Sequence, residues 1–209
     1  MCRNFLAVNI CIQTILGDIV AELYPQQAPI TVANFVDNIN AGLFNSAQFH
    51  RAACSHQLLP GKDRGIAVVE AGPWQGAQNL APIVHESTLV SGLLNHRGVL
   101  AMSRDEPGSA AAGFFINVDD NPSLNAHEAA DGKDAAAGYA TFGRVTRGMA
   151  VVDTIHQQAT GQKRLSPDEA DFMERFKQKD AVVAQWYSKQ LLNSPVLIER
   201  VSVVEECEQ

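Results

Sequence analysis

The chain has 209 residues, of which 46% are apolar and 19% charged, and its net charge is −7. That length suits one sizeable core rather than two, and no apolar run reaches the roughly eighteen residues that span a bilayer. The acidic balance, with Arg97, Arg104, Arg144 and Arg147 dispersed among apolar or small residues, excludes the basic face that nucleic acid or an anionic membrane surface requires.

The first sixteen residues are apolar, but Asn4, Asn9 and Gln13 interrupt them and no small-residue cleavage site follows. They read as a first strand rather than a signal peptide. The expected compartment is therefore the cytoplasm; a signal removed before this numbering would instead place the protein in the periplasm. Asn9 to Thr14 alternates, Gly17-Asp18 supplies a turn, and Ile19 to Tyr24 completes a hairpin. Pro25 and Pro29 break the strand, and Pro29 is suited to a first helical position, where no backbone N–H is needed. Val32, Phe35, Val36 and Ile39 then fall on one helical face, with Gly42 as the stop.

From Phe44 to Gly143 short apolar runs (Ile66–Val69, Gly98–Met102, Phe114–Val118, Tyr139–Phe142) alternate with turns rich in Gly, Pro, Asn and Asp. Such spacing indicates a β-sandwich or barrel. A second helix is predicted over Gly148–His156. Ser166-Pro167-Asp168-Glu169 has the form of a capping box, opening a third helix to Leu192 on which Met173, Phe176, Val183, Trp186 and Tyr187 share a face. Asn193-Ser194-Pro195 ends it, and Val196 to Val204 is the last strand. The reading is mainly β, one domain over 1–209, a barrel plugged by helices.

Three segments carry a resemblance. "GDIVAELYPQQAPITVANFVDNINAGLFNSAQFHR" (Gly17–Arg51), "HESTLVSGLLNHRGVLAMSRDEPGSAAAGFFINVDDNPSLN" (His85–Asn125) and "GYATFGRVTRGMAVVDTI" (Gly138–Ile155) resemble, in order, the opening, central block and second-helix segment of the cyclophilins. The resemblance implies a closed eight-stranded antiparallel barrel capped by two helices, with an additional helix near the C-terminus here. It also implies peptidyl-prolyl cis-trans isomerase activity in a groove on the outside of the barrel, without cofactor or metal. The implied partners are proline-containing peptides and unfolded or folding proteins, and the expected state is a monomer.

Arg51, directly after Phe49-His50, matches the family's essential arginine, and Phe115 the floor of its proline pocket. Phe114 should point the other way, into the barrel. Glu70 stands where a glutamine normally hydrogen-bonds the arginine and substrate; as a carboxylate it would orient Arg51 through a charge-assisted pair while partly neutralising it. Substrate contacts are implied for His50, Val68, Ser103, Arg104, Gly113, Leu124 and Tyr139, with the peptide lying along Ser103–Arg104. Departures are Ala67 and Val68 for larger pocket residues, Gly113 for a polar one, and Ser123 where some members carry tryptophan. Residues 52–66 form an enlarged loop similar to that of a bacterial subgroup. Residues 162–193 are a helical insertion, either a packed decoration or an arm that binds partners or clients. A binding module with little turnover is the rival function.

The histidines His50, His56, His85, His96, His127 and His156 have no metal-ligand spacing. Cys54-Ser55-His56 lacks a positioned third group for nucleophilic catalysis. Asp105-Glu106, Asp119-Asp120 and Asp131 lack calcium-loop spacing. The four cysteines, Cys2, Cys11, Cys54 and Cys207, read as thiols of a reducing compartment; Cys2 and Cys207 could meet only if the terminal strands pair. With so many substitutions in the pocket, the cyclic-peptide inhibitor that binds this family tightly should bind weakly here. A sub-micromolar dissociation constant by calorimetry would overturn that expectation.

Overall fold

The computed structural model describes residues 7–58, 65–73, 80–128 and 136–204. Eight strands, β1 (Val8–Thr14), β2 (Gly17–Leu23), β3 (Gln48–Ala53), β4 (Val68–Gly72), β5 (Val99–Met102), β6 (Phe114–Asn117), β7 (Thr141–Arg147) and β8 (Leu191–Val204), close into an antiparallel barrel. Their order around it is β1-β2-β7-β5-β6-β4-β3-β8. The terminal strands thus adjoin, Asn9 facing Val204; Cys2, Cys207 and Asp131 lie outside the described residues.

The first hairpin reverses two residues earlier than the sequence suggests. Thr14 pairs with Gly17, so Ile15 and Leu16 form the loop rather than Gly17-Asp18. Thr14 stabilises this tighter turn with its hydroxyl, which donates to the Gly17 carbonyl at 2.8 Å and accepts from Leu16 N–H at 3.1 Å.

Helix α1 (Pro29–Asn40) begins at the expected proline. Its leading N–H groups have no local cap; the carboxylate of Glu86, remote in sequence and 7% exposed, serves them instead. It accepts from Ile30 N–H (3.1 Å), Thr31 N–H (2.8 Å) and the Thr31 hydroxyl (2.7 Å), and a negative charge suits the positive end of the helix dipole. The helix drives Phe35 into the barrel interior, where its ring lies 4.8, 5.3 and 4.9 Å from those of Phe44, Phe114 and Phe142. A second helix, α2 (Thr88–Ser91), and a 3-10 turn at Pro122–Leu124 are too short to leave a periodic signal. Helix α3 (Met149–His156) matches expectation, burying Val152 and Ile155. Gly148 opens it at φ 91°, with its Cα so close to β2 that a Cβ there would lie 2.2 Å from the Asp18 carbonyl oxygen.

The single long C-terminal helix is instead two, α4 (Pro167–Lys179) and α5 (Ala181–Ser188). The Ser166–Glu169 capping box forms as expected. The break comes at Asp180, extended at φ −152° and ψ 100°, whose carboxylate accepts from Val182 and Val183 N–H at 3.0 Å each and so caps a new helix. The last strand then starts at Leu191, not Val196, and runs through Asn193-Ser194-Pro195. Its ladder with β3 jumps from Arg51↔Leu191 to Phe49↔Val196. Pro195 sits in that irregular stretch, where a missing N–H forfeits no ladder bond.

Removing the remote cap tests this account. Glu86→Ala should lower stability by about 2 kcal/mol, read as a lower urea midpoint with an unchanged slope.

Candidate active site

Strand β3 carries an irregularity that decides which way its side chains point. Phe49 pairs with Ala71 and Arg51 with Glu70, so His50 is an extra residue without a counterpart on β4. Simple alternation from the buried, inward Phe49 would send Arg51 inward too; the bulge inverts the pattern. Ala52 joins the barrel core, while Ala53 joins an outer cluster with Val68, Ala101, Phe115 and Leu124. The neighbouring strands alternate regularly: Val69, Phe114, Ile116, Leu100 and Met102 face the core, and Val68 and Phe115 the outside. One continuous rung results, Arg51↔Glu70, Glu70↔Phe115 and Phe115↔Ala101, crossing β3, β4, β6 and β5.

Arg51 is charged yet only 8% exposed. Its Nη1 donates to Glu70 Oε2 at 2.6 Å and its Nε to Gln190 Oε1 at 2.8 Å. The guanidinium carbon lies 4.6 Å from the ring centre of Tyr187 and 5.2 Å from that of Trp186, within cation–π range. Burial alone would push Glu70 up, but the charges of Arg51 and His50 hold its carboxyl below the usual 4.5. Burial, with Glu70 adding to it, pushes the Tyr187 hydroxyl well above its ordinary value. Ser103 lies close enough to Glu70 to favour the carboxylate, yet its buried hydroxyl makes no hydrogen bond of normal geometry.

A cleft of about 740 Å³ opens over this rung. Of the residues singled out from the sequence, Arg51, Val68, Glu70, Ser103, Arg104, Gly113, Phe115, Leu124 and Tyr139 all line it. Phe115 and Tyr139 meet edge to face at 5.4 Å, and Tyr139 also carries the Arg104 guanidinium at 4.6 Å. Gly113 leaves tight quarters for the polar side chain that the resemblance implies there: a Cβ would lie 3.2 Å from Ser103 Cβ, and Ser103 would have to shift by a few tenths of an ångström. His50 is the exception. It is the bulge residue and sits outside the cleft lining, with Nε2 3.4 Å from the Tyr187 hydroxyl.

Sequence reasoning missed the other wall. Phe172, Phe176, Val183, Trp186 and Tyr187, on α4 and α5, line the same cleft. The apolar face of Phe176, Val183, Trp186 and Tyr187 is visible in the sequence, but where it docks is not, and Phe172 rather than the expected Met173 lines the cleft. Gln190, fully buried beside Arg51, gave no signal. The loop after β3 takes part as well: Trp186 Nε1 donates to the Gln57 carbonyl at 2.7 Å. Below the cleft, Asn121 holds Ala67 from both sides, accepting from its N–H at 2.9 Å and donating to its carbonyl at 3.0 Å.

Two other arrangements fail as reactive centres. Cys54 lies 3.7 Å from His156 rather than against His56, but His156 Nε2 is 2.8 Å from the Ala53 carbonyl and must donate to it. It therefore cannot take the thiol proton, and burial raises the thiol pKa further. A larger cleft of about 1140 Å³, bordered by Leu43, Gln48, Arg164 and Pro195, contains a single ion pair, Lys163–Glu169. Among the described residues, no three His, Cys, Asp or Glu side chains cluster to hold a metal ion.

Comparison with known proteins converges on one family. The model of the cyclophilin-type peptidyl-prolyl cis-trans isomerases matches residues 8–180. The chain is 40% identical over 154 residues to peptidyl-prolyl cis-trans isomerase B of Escherichia coli, covering 73% of this chain and 86% of that protein. It is 39% identical over 150 residues to a peptidyl-prolyl cis-trans isomerase of Acinetobacter baylyi, covering 68% and 69%. A Cryptosporidium parvum cyclophilin, solved in the presence of the dipeptide Ala-Pro, superposes with a TM-score of 0.65 at 17% identity, over 95% of this chain and 99% of that one.

The buried charges set an expected acid sensitivity. Burial pushes the His50 imidazole below 6.5, against the pull of Glu70 and with Arg51 and Lys163 adding to the shift. Between 6.5 and that lower value the unfolded chain binds a proton that the folded chain refuses, so stability falls as pH drops through this window. Glu70 has the depressed carboxylate pattern: its contribution is complete above 4.5 and is lost as pH falls through its lower folded value. The melting temperature should therefore fall from about pH 7.5 to about pH 5, and fall less in His50→Gln. An equal slope in that variant would assign the loss to other groups.

Proposed function

This chain belongs to the cyclophilin-type peptidyl-prolyl cis-trans isomerases, and we propose that it turns over Xaa-Pro bonds in the cleft above the Arg51–Glu70–Phe115 rung. The observation that carries the reading is that rung itself, a fixed guanidinium two strands from an apolar floor.

The rotation barrier of about 18–20 kcal/mol comes from amide resonance. A catalyst must favour the twisted amide over both planar ground states. As the bond twists, the proline nitrogen loses conjugation and becomes a better acceptor. Arg51 supplies the donor: a guanidinium stays charged and presents a rigid fork, and in a water-poor cleft its field is stronger than in bulk solvent. Phe115, with Val68, Leu124 and Tyr139 around it, holds the proline ring, so that rotation moves the residue before it. Glu70 and Gln190 fix the Arg51 side chain by two different nitrogens. The peptide backbone runs along Ser103–Arg104. The Ala-Pro in the related Cryptosporidium parvum structure supports a proline-dipeptide ligand of this kind, and the family's general role suggests folding chains as the natural source.

One observation favours a second reading, a proline-peptide binding module with little turnover: Arg51 is 8% exposed and already paired with a carboxylate, which weakens it as a donor.

Exchange NMR on a short Ala-Pro peptide separates the two. Wild type should accelerate exchange, and Arg51→Ala should lose roughly a hundredfold or more of that rate while still shifting the peptide's signals. Glu70→Gln keeps an acceptor for Arg51 and removes the neutralising charge, so its rate should hold or rise. Binding by wild type with no acceleration would leave the second reading.

A further inference from the structure

We infer that the α4–α5 hairpin is the second wall of the substrate site, and that Phe172, Phe176 and Trp186 receive an apolar, preferentially aromatic, side chain carried next to the proline. The inference rests on the isomerase reading above and names the substrate class that the same cleft selects.

The cleft has two unlike faces. The barrel contributes Val68, Phe115, Leu124 and Tyr139, grouped at one place; the Arg51–Glu70 pair joins them to the hairpin rings, and the small residues Ser103, Ala111, Ala112 and Gly113 line the same cleft. Facing these, the hairpin presents Phe172, Phe176, Val183 and Trp186, all only half-buried. At about 740 Å³ the space is of the size that takes a whole small ligand, well beyond one proline ring. The rings on the hairpin are also fixed in place. Phe172 and Phe176 lie 5.9 Å apart and 6.5 and 5.5 Å from Tyr187, and Tyr187 is held in turn over Arg51. A bound peptide with its proline on Phe115 therefore passes between two walls, and a neighbouring side chain is delivered to pre-oriented aromatic surface, the arrangement that yields affinity at low entropic cost.

Two further observations point to a peptide between the walls. Arg104 Nε, from a residue lining the cleft, is buried without a hydrogen-bond partner, and the neighbouring Ser103 hydroxyl, beside Glu70, makes no hydrogen bond of normal geometry; both can meet the backbone of an extended chain. The rim carries Asp105, Glu106 and Asp180 against Lys179 and Arg104, with Lys179 engaged by Asp105 at 3.2 Å. Acidic side chains beside the proline are accordingly disfavoured. The hairpin's own construction fits a wall rather than a core element: α4 and α5 pack chiefly on each other, and Trp186 and Tyr187 tie them to the barrel.

The test is exchange NMR with peptides differing only beside the proline, Phe, Leu, Gly or Glu before it in one series and after it in another. Wild type, Phe172→Ala, Phe176→Ala and Arg175→Ala are compared, with circular dichroism confirming that each is folded. Arg175 pairs with Asp171 on the exposed side of α4 and serves as the control. Wild type and Arg175→Ala should favour Phe over Gly, and more so over Glu, by roughly tenfold in kcat/KM on one flank. Both Phe→Ala variants should bring that ratio toward one, chiefly through KM. A flat profile for wild type on both flanks would overturn the inference while leaving the isomerase intact. Phe→Ala variants that turn over every peptide faster would overturn it too, making the hairpin a shutter. Failure of wild type to accelerate any peptide would instead remove the reading on which it rests.

Discussion

A guanidinium at 8% exposure imposes conditions on everything around it, because an uncompensated charge removed from water costs several kcal/mol. Here each face of Arg51 is answered by a different part of the chain. β4 supplies the carboxylate of Glu70, the start of β8 lies beside the Gln190 amide, and α5 lays two aromatic rings over the plane. Arg51 is reached by the bulge at His50, and the length of β8 down to Leu191 is needed to bring Gln190 beneath it. The C-terminal hairpin and the residues that follow it thus gather around Arg51.

The same enclosure bears on chemistry. Water screens a surface guanidinium, whereas one sealed between a carboxylate and aromatic faces acts on its neighbours at lower effective dielectric. Enclosure also restricts what can approach it. In the proposed mechanism the two effects oppose each other, stronger interaction with a twisted amide against partial neutralisation by Glu70, and the balance sets turnover. On that mechanism a carboxylate at Glu70 weighs more than the small side chain of Val68 in the cleft lining, which alters only the fit.

Much of this was legible in the sequence where the signal is local. Pro29 and the Val32-Phe35-Ile39 stripe mark α1, and the Ser166–Glu169 box marks the start of α4. The opposite orientation of Phe114 and Phe115 follows from strand alternation alone. What escaped is what depends on remote partners. Glu86 caps a helix more than fifty residues away. Asp180 could be read equally as a solvated residue within one helix or as a cap between two, and only the docking of both halves against the cleft decides it. Alternation, applied to β3, would have turned Arg51 into the core; a one-residue bulge has no reliable sequence signature. The same bulge leaves His50 without a counterpart on β4, and it does not line the cleft. The amphipathic face holding Phe176, Val183 and Trp186 was evident, but a face does not name its counterpart.

The hydrogen bond from Trp186 to the Gln57 carbonyl joins two segments far apart in the linear sequence, the loop after β3 and the C-terminal hairpin. They meet at Trp186, whose ring lies over Arg51. They therefore act as one mechanical unit: shortening the loop would take away a foothold of the hairpin, and losing the hairpin would strip the Gln57 carbonyl of this partner. Transplanting this roof onto another barrel would mean moving both segments together.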